Sequence, residues 1–372
     1  MTNSPVRTNK WHFPRRELAQ KYLTILDTGL TQIIALFARR RAGKTEFITH
    51  DLLPEAEKQG AFTYIVDFWA NEDSPEECIV AGVLQTFHDL PINKKLKGQP
   101  LKEFKAGIAG ISASIENPTI STINQAFGLM RQIHSRDTVK VVLFFDEIQH
   151  LATRPEFGKV ASALRTFIDK NKTWLNVIFT GSSQDGLQRL FSQKRAAFYQ
   201  SVSVLNFPLL GADYVQHTVN GFNEFTKCNI DINSALRVFK KVNGNPEKFS
   251  RLIQMLLRDK SGDIEACYIE NEHDLTDEFD VITRWEALSD VDGSVLGLVV
   301  AMIDNKINYG LYSAPAFKRV KDETGLQVVA KSTIQNAIDR LRKNNWIFSK
   351  GRGVWGIEDE SDIEFIRAQI SE

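Results

Sequence analysis

The segment Ala38-Arg39-Arg40-Arg41-Ala42-Gly43-Lys44-Thr45 constrains this chain more than any other. It follows an apolar run, Ile33-Ile34-Ala35-Leu36-Phe37, and opens onto Glu46-Phe47-Ile48-Thr49, which reads as a helix start. A strand, a turn closed by Gly-Lys-Thr and a helix together make a cradle for phosphate. The N–H groups of the loop and the positive end of the helix face the anion. Arg39, Arg40, Arg41, Ala42, Gly43, Lys44, Thr45 and Glu46 are therefore candidate nucleotide-binding residues. Lys44 is expected to reach the β- and γ-phosphates, and the Thr45 hydroxyl to join a Mg²⁺ shell. Ala38 stands where such loops usually carry their first glycine, a residue that turns the chain without a Cβ penalty.

A second segment supports this assignment. Val141-Val142-Leu143-Phe144-Phe145-Asp146-Glu147 is a continuous apolar run ending in a pair of carboxylates. Such a run reads as a strand buried on both faces, and its carboxyl end is where open α/β sheets hold ligands. Asp146 is the candidate Mg²⁺ ligand beside Thr45. Glu147 is the candidate general base that takes a proton from the water attacking the γ-phosphate. A third run, Trp174-Leu175-Asn176-Val177-Ile178-Phe179-Thr180, ends in Gly181-Ser182-Ser183. The Thr180 and Ser182 hydroxyls are candidates for contact with the γ-phosphate or that water. The expected ligands are ATP and Mg²⁺.

Between the phosphate loop and Asp146 lies a further strand, Phe62-Thr63-Tyr64-Ile65-Val66-Asp67-Phe68. An inserted strand and a glutamate after the acidic residue resemble the additional-strand, catalytic-glutamate branch of P-loop ATPases. Arg40 to Thr45, the upstream Phe13-Pro14-Arg15-Arg16-Glu17-Leu18 and Phe179-Thr180-Gly181-Ser182-Ser183 resemble, more narrowly, the prokaryotic "archaeal ATPase" family, related to AAA+ and STAND ATPases. The resemblance implies an ATPase with a parallel α/β P-loop sheet, a helical lid and a C-terminal winged helix. It also implies that Phe13 and Arg16 lie near the nucleotide, and that Lys248 or Arg251, beyond a helix break, contacts the γ-phosphate. The chain departs from the family at Ala38. It also lacks an arginine in Phe198-Tyr199-Gln200-Ser201, which leaves Arg195, beside Lys194, as the candidate finger acting on a neighbour's nucleotide.

With 372 residues, 42% hydrophobic and 25% charged, the composition is that of a globular chain of two or three domains. Basic and acidic residues balance at 46 each, so any nucleic-acid surface must be local. The 3 cysteines are scattered and the 7 histidines lack metal-ligand spacing. No apolar signal core or membrane span is evident, and the expectation is a cytoplasmic protein without a membrane partner.

The expected division is an N-terminal helical segment (1–30), a P-loop core (31–210), a helical lid (211–288) and a winged helix (289–372). Within the core, 91–118 reads as an insertion, and Thr122-x-x-Gln125 as a capping box. The break Asn243-Gly244-Asn245-Pro246 ends one lid helix and begins the next. Near the C-terminus, Ile334, Ala337, Ile338 and Leu341 share one helix face, with a cap expected at Ser332. Trp346 to Ile357 reads as a hairpin with the basic tip Lys350-Gly351-Arg352. Helices and a basic hairpin in this order resemble a winged helix. Lys331, Arg340, Lys343, Lys350 and Arg352 are its candidate phosphate contacts on double-stranded DNA. Against them, Glu358-Asp359-Glu360 places negative charge beside the hairpin. Two function classes follow: a DNA-associated ATPase with nucleotide-dependent assembly, of transposition or defence type, and a signalling switch whose winged helix binds a protein partner.

Overall fold

The computed structural model describes residues 10–38, 40–89, 121–275, 278–359 and 362–371. Arg39, all of the expected insertion 91–118 and Glu360 lie outside the described residues. The chain packs as two units: a core unit of Pro14–Ser182 and Gly186–Pro208, and a helical unit of Met1–Phe13, Ser183–Asp185 and Leu209–Glu372.

In the core unit, β1 (Ile33–Phe37), β2 (Phe62–Asp67), β3 (Val141–Asp146), β4 (Leu175–Gly181) and β5 (Ser203–Asn206) form one parallel sheet. Its order is β2-β3-β4-β1-β5. The three inner strands are the three most continuous apolar runs, as burial on both faces requires. Alternation then sorts their side chains between two cores. Ile33, Ala35, Val141, Leu143, Phe145, Val177 and Phe179 join one cluster with α4 (Pro75–Asp89), α5 (Ile123–Asp137) and α6 (Gly158–Lys170). Ile34, Leu36, Val142, Phe144 and Ile178 face the other, against α1 (Arg16–Asp27), α2 (Lys44–Phe47) and α3 (Leu53–Lys58). The edge strands carry the exceptions, with Ile65 and Val204 exposed. Thr122 caps α5 with the expected reciprocal bonds to Gln125.

Ala38 needs no glycine. It is absent from the left-handed residues of the chain, and its N–H continues the ladder toward the Gly181 carbonyl at 3.5 Å. The turn is made instead by Arg41 and Gly43, at φ 61° and 79°. Gly181 instead leaves room for the ends of two packed side chains. A Cβ there would lie 2.7 Å from Gln149 Oε1 and 2.8 Å from Leu187 Cδ2.

The helical unit contains two apolar cores. Tyr214, Phe222, Val238, Phe249 and Ile253 anchor the first, formed by α8 (Ala212–Thr226), α9 (Ile232–Lys241), α10 (Pro246–Asp259) and α11 (Ile264–Glu270). Asn245 caps α10 by accepting the Glu247 and Lys248 N–H groups, with Pro246 in the first turn. The second core draws on α14 (Asp290–Ile303), α15 (Ala314–Thr324), α16 (Lys331–Lys343) and the antiparallel pair β6 (Ile347–Gly351) and β7 (Val354–Ile357). Ile334, Ala337, Ile338 and Leu341 are fully buried on α16. The expected cap at Ser332 is corrected. The helix begins at Lys331, so Ser332 falls within its first turn, and the Thr333 hydroxyl accepts the Ala330 N–H at 3.3 Å.

Gly181→Ala should lower stability by about 1–3 kcal/mol through overpacking. The urea midpoint should fall at unchanged m-value, and an unaltered midpoint would refute the contact.

Candidate functional site

The sheet order sets β3, β4 and β1 side by side, so the chain segments leaving their carboxyl ends converge. The residues singled out at those ends form one hydrogen-bonded group. Thr45 Oγ1 donates to Asp146 Oδ2 at 2.8 Å. The Thr180 hydroxyl donates to Asp146 Oδ1, which also accepts the Glu147 N–H at 3.1 Å. Thr180 is fully buried.

Lys44 is 5% exposed, and its ammonium donates to the Ala38 carbonyl at 2.7 Å. Burial pushes it below the usual lysine value, while the charges of Glu147 and Asp146 oppose that shift. A cation so desolvated gains from any anion brought to it. Gly43, in left-handed conformation, immediately precedes Lys44 at the start of α2. Ala42 is buried and Glu46 is exposed. Arg40 lies over the Trp69 ring at 5.6 Å, and Arg41 is exposed.

Glu147 has φ 55°, a left-handed backbone that a non-glycine residue adopts at a cost. That turn ends β3 and starts the short 3₁₀ segment Ile148–Ala152. Glu147 Oε2 accepts the Ser182 hydroxyl at 2.7 Å and a hydrogen bond from Gln149 Nε2. Gln149 Nε2 also donates to Ser182 Oγ at 3.3 Å. Ser182 and Gln149 are buried, at 7% and 8% exposure.

Two residues here escaped the sequence reading, Gln149 and Arg15. Arg15 Nη2 donates to the Gly43 carbonyl at 2.9 Å, and its N–H reaches Asp51 Oδ1 at 3.0 Å. Its guanidinium lies 4.8 Å from the centroid of Phe47 and 4.5 Å from that of Phe207. Burial lowers its pKa to about 10, against the opposing charge of Asp51. Arg16, the expected residue, is exposed on α1. The Arg15-Arg16 pair was visible, but only the start of α1 at Arg16 decides which side chain turns inward.

Phe13 belongs to the helical unit, where its ring meets those of Tyr214 at 6.1 Å and His217 at 5.5 Å. Lys248 and Arg251 stand on α10 in that same unit. Arg195 is exposed in the core unit. Among the five candidate DNA contacts, Lys331, Lys343, Lys350 and Arg352 are exposed. Arg340 instead forms a bidentate pair with buried Asp292, through Nε at 3.0 Å and Nη2 at 2.7 Å. Arg342 pairs with Asp185 at 2.6 Å. Glu358 is also engaged, accepting the Gln184 N–H. Burial raises its carboxyl above the usual range, opposed by hydrogen bonds from Ser183 and Gln184. Among the described residues no helix is long and apolar enough to cross a membrane.

No family model matches the chain, and no curated protein matches it. Solved structures do. The chain is similar to the Walker-type ATPase PABY2304 of Pyrococcus abyssi, with 13% identity and a TM-score of 0.59 over 95% of each chain. It is also similar to the ORC2 protein of Aeropyrum pernix in its ADP form, with 13% identity and a TM-score of 0.60 over 96% of this chain and 92% of that one. The ADPNP–ADP complexes of that protein align at 14% identity and a TM-score of 0.51, covering 99% and 94% of the two chains. Together with the strand order and the loop after β1, these likenesses give the chain the P-loop fold of archaeal Walker-type ATPases.

Proposed function

We propose that this chain binds ATP with Mg²⁺ and hydrolyses it to ADP and phosphate, using the transition as a switch or an assembly signal. The observation that carries this reading is the hydrogen-bonded group Thr45–Asp146–Thr180, with buried Lys44 beginning the helix that also carries Thr45. Lys44 exchanges its bond to the Ala38 carbonyl for charge-assisted bonds to the β- and γ-phosphates. Arg40, Arg41, Ala42, Gly43 and Glu46 complete the loop around the phosphates. The Thr45 hydroxyl and the Asp146 carboxylate are hard oxygen donors 2.8 Å apart. That set suits Mg²⁺, which takes one or two carboxylates and completes its shell with water and phosphate oxygens. The bound ion supplies neutralisation of charge on the phosphates. Glu147 accepts the proton of the attacking water, and the Thr180 and Ser182 hydroxyls, whose own hydrogens go to Asp146 and Glu147, take part as acceptors of a hydrogen bond from that water. Arg195 acts as a finger on a second copy.

Residues 289–372 form a winged helix that contacts double-stranded DNA through the exposed cations Lys331, Lys343, Lys350 and Arg352. The pairing of Arg340 with Asp292 supports a second reading, in which the winged helix contacts a protein partner. A bidentate ion pair already satisfies that guanidinium, which removes one of the five expected phosphate contacts.

Lys44→Ala should abolish ATP affinity or reduce it severely in calorimetry, because the side-chain cation on the β/γ-phosphates is lost. Wild-type binding would refute the site.

Glu147→Gln should retain ATP while slowing phosphate release about a hundredfold, since an amide cannot take the proton. Unchanged turnover would remove Glu147 from the mechanism.

Joint replacement of Lys350 and Arg352 by Ala should flatten the log–log salt dependence of duplex binding by roughly two units and leave ATP affinity unchanged. Gel-shift titrations at several salt concentrations measure it. Absence of salt-dependent binding by wild type, with and without ATP, would leave the protein-partner reading.

A further inference from the structure

We propose that Gln149 is a positioning residue that aims the carboxylate of Glu147 at the attacking water, an inference that rests on Glu147 acting as general base. The NH₂ group of Gln149 faces both oxygens, donating to Glu147 Oε2 and lying 3.3 Å from Ser182 Oγ. A serine hydroxyl has a single hydrogen that turns freely about its C–O bond. With a lone pair of Ser182 Oγ taken by Gln149, that hydrogen is directed at Glu147 Oε2, 2.7 Å away. The result is a closed three-membered ring of hydrogen bonds, Gln149 to Ser182, Ser182 to Glu147 and Gln149 to Glu147. Glu147 Oε2 receives both donors, and Oε1 is the oxygen left to take a proton.

Three further features favour this role over packing alone. Gln149 Oε1 is buried and has no hydrogen-bond partner, so the hydrogen bonds of this side chain are those of its Nε2 alone. A turned amide would set that oxygen against the Glu147 carboxylate, so the anion selects the donor orientation. Gly181, between Thr180 and Ser182, leaves the room in which Gln149 Oε1 sits, and a Cβ there would be 2.7 Å away. Glu147 stands on a left-handed turn, so its side chain leaves β3 in a direction the strand itself does not fix. A second constraint is needed to hold its rotamer. Gln149, two residues further on in the 3₁₀ segment, supplies it.

The test compares steady-state ATP hydrolysis, ATP affinity by calorimetry and the urea midpoint for wild type, Gln149→Ala, Gln149→Glu, Glu147→Gln and the double variant Gln149→Ala/Glu147→Gln. Gln149→Ala should lower kcat about tenfold or more, as misaimed catalytic groups do. KM and ATP affinity should stay within about twofold, because the phosphate contacts are elsewhere. Gln149→Glu keeps the side-chain volume but sets an anion against Glu147, and should lower kcat further. The double variant should be no slower than Glu147→Gln, since aim is worthless without a base. A wild-type kcat in Gln149→Ala overturns the proposal, as does a tenfold further loss in the double variant, or a loss of kcat that travels with weakened ATP binding. If wild type shows no hydrolysis dependent on Glu147, the ATPase reading and this inference fall together. If that hydrolysis is present and indifferent to Gln149, only the inference falls.

Discussion

Asp146 is the group on which the core unit's organisation turns. One carboxylate accepts the Thr45 hydroxyl from the helix after β1, the Thr180 hydroxyl from β4 and the N–H of Glu147 at its own strand end. Three elements that are distant in sequence are thereby tied at one point. A carboxylate tolerates this crowding of donors because each stabilises its charge. The parallel register makes the convergence possible, pairing Phe37 with Gly181 and Phe145 with Phe179 so that the strands end level.

Around that point the charges are arranged by burial as much as by distance. Lys44 is withdrawn from water and bound to a loop carbonyl, which leaves it poorly solvated and ready to exchange that carbonyl for a stronger acceptor. Arg15 serves the loop from behind. Its guanidinium meets the rings of Phe47 and Phe207 and donates to the Gly43 carbonyl, so the residue before α1 helps to set the conformation of the phosphate loop. An arginine suits this position, since its planar, weakly hydrated cation stacks on rings where a lysine ammonium would not.

The sheet was legible in the sequence because inner parallel strands must be apolar along their whole length. β1, β3 and β4 coincide with the runs that begin near Ile33, Val141 and Leu175. The phosphate loop and the acidic pair were legible because they depend on residues close in sequence. Gln149 was not, since its partners include Ser182, which lies 33 positions away just beyond the end of β4. Arg15 was hidden for a similar reason, as its contact with Phe207 exists only once β5 has joined the sheet. The cations of α16 are visible in the sequence, but sequence spacing does not reveal which of them already has a partner. Arg340 meets Asp292 on α14, and Arg342 meets Asp185. The start of α16 was displaced because Ser332 matches a capping pattern that Ala330 and Thr333 fulfil by other means.

The left-handed turn at Glu147 has a consequence for anyone who would make this protein more robust. An L-residue with a Cβ in that conformation costs about 1–2 kcal/mol relative to relaxed backbone, a penalty glycine largely escapes. A search guided by backbone conformation alone would therefore select glycine or asparagine at this position. The same exchange would delete the carboxylate that Ser182 and Gln149 surround. At this position relaxation of the backbone opposes both the buried hydrogen bonds and the role proposed for Glu147, so selection on backbone conformation alone would erase the carboxylate.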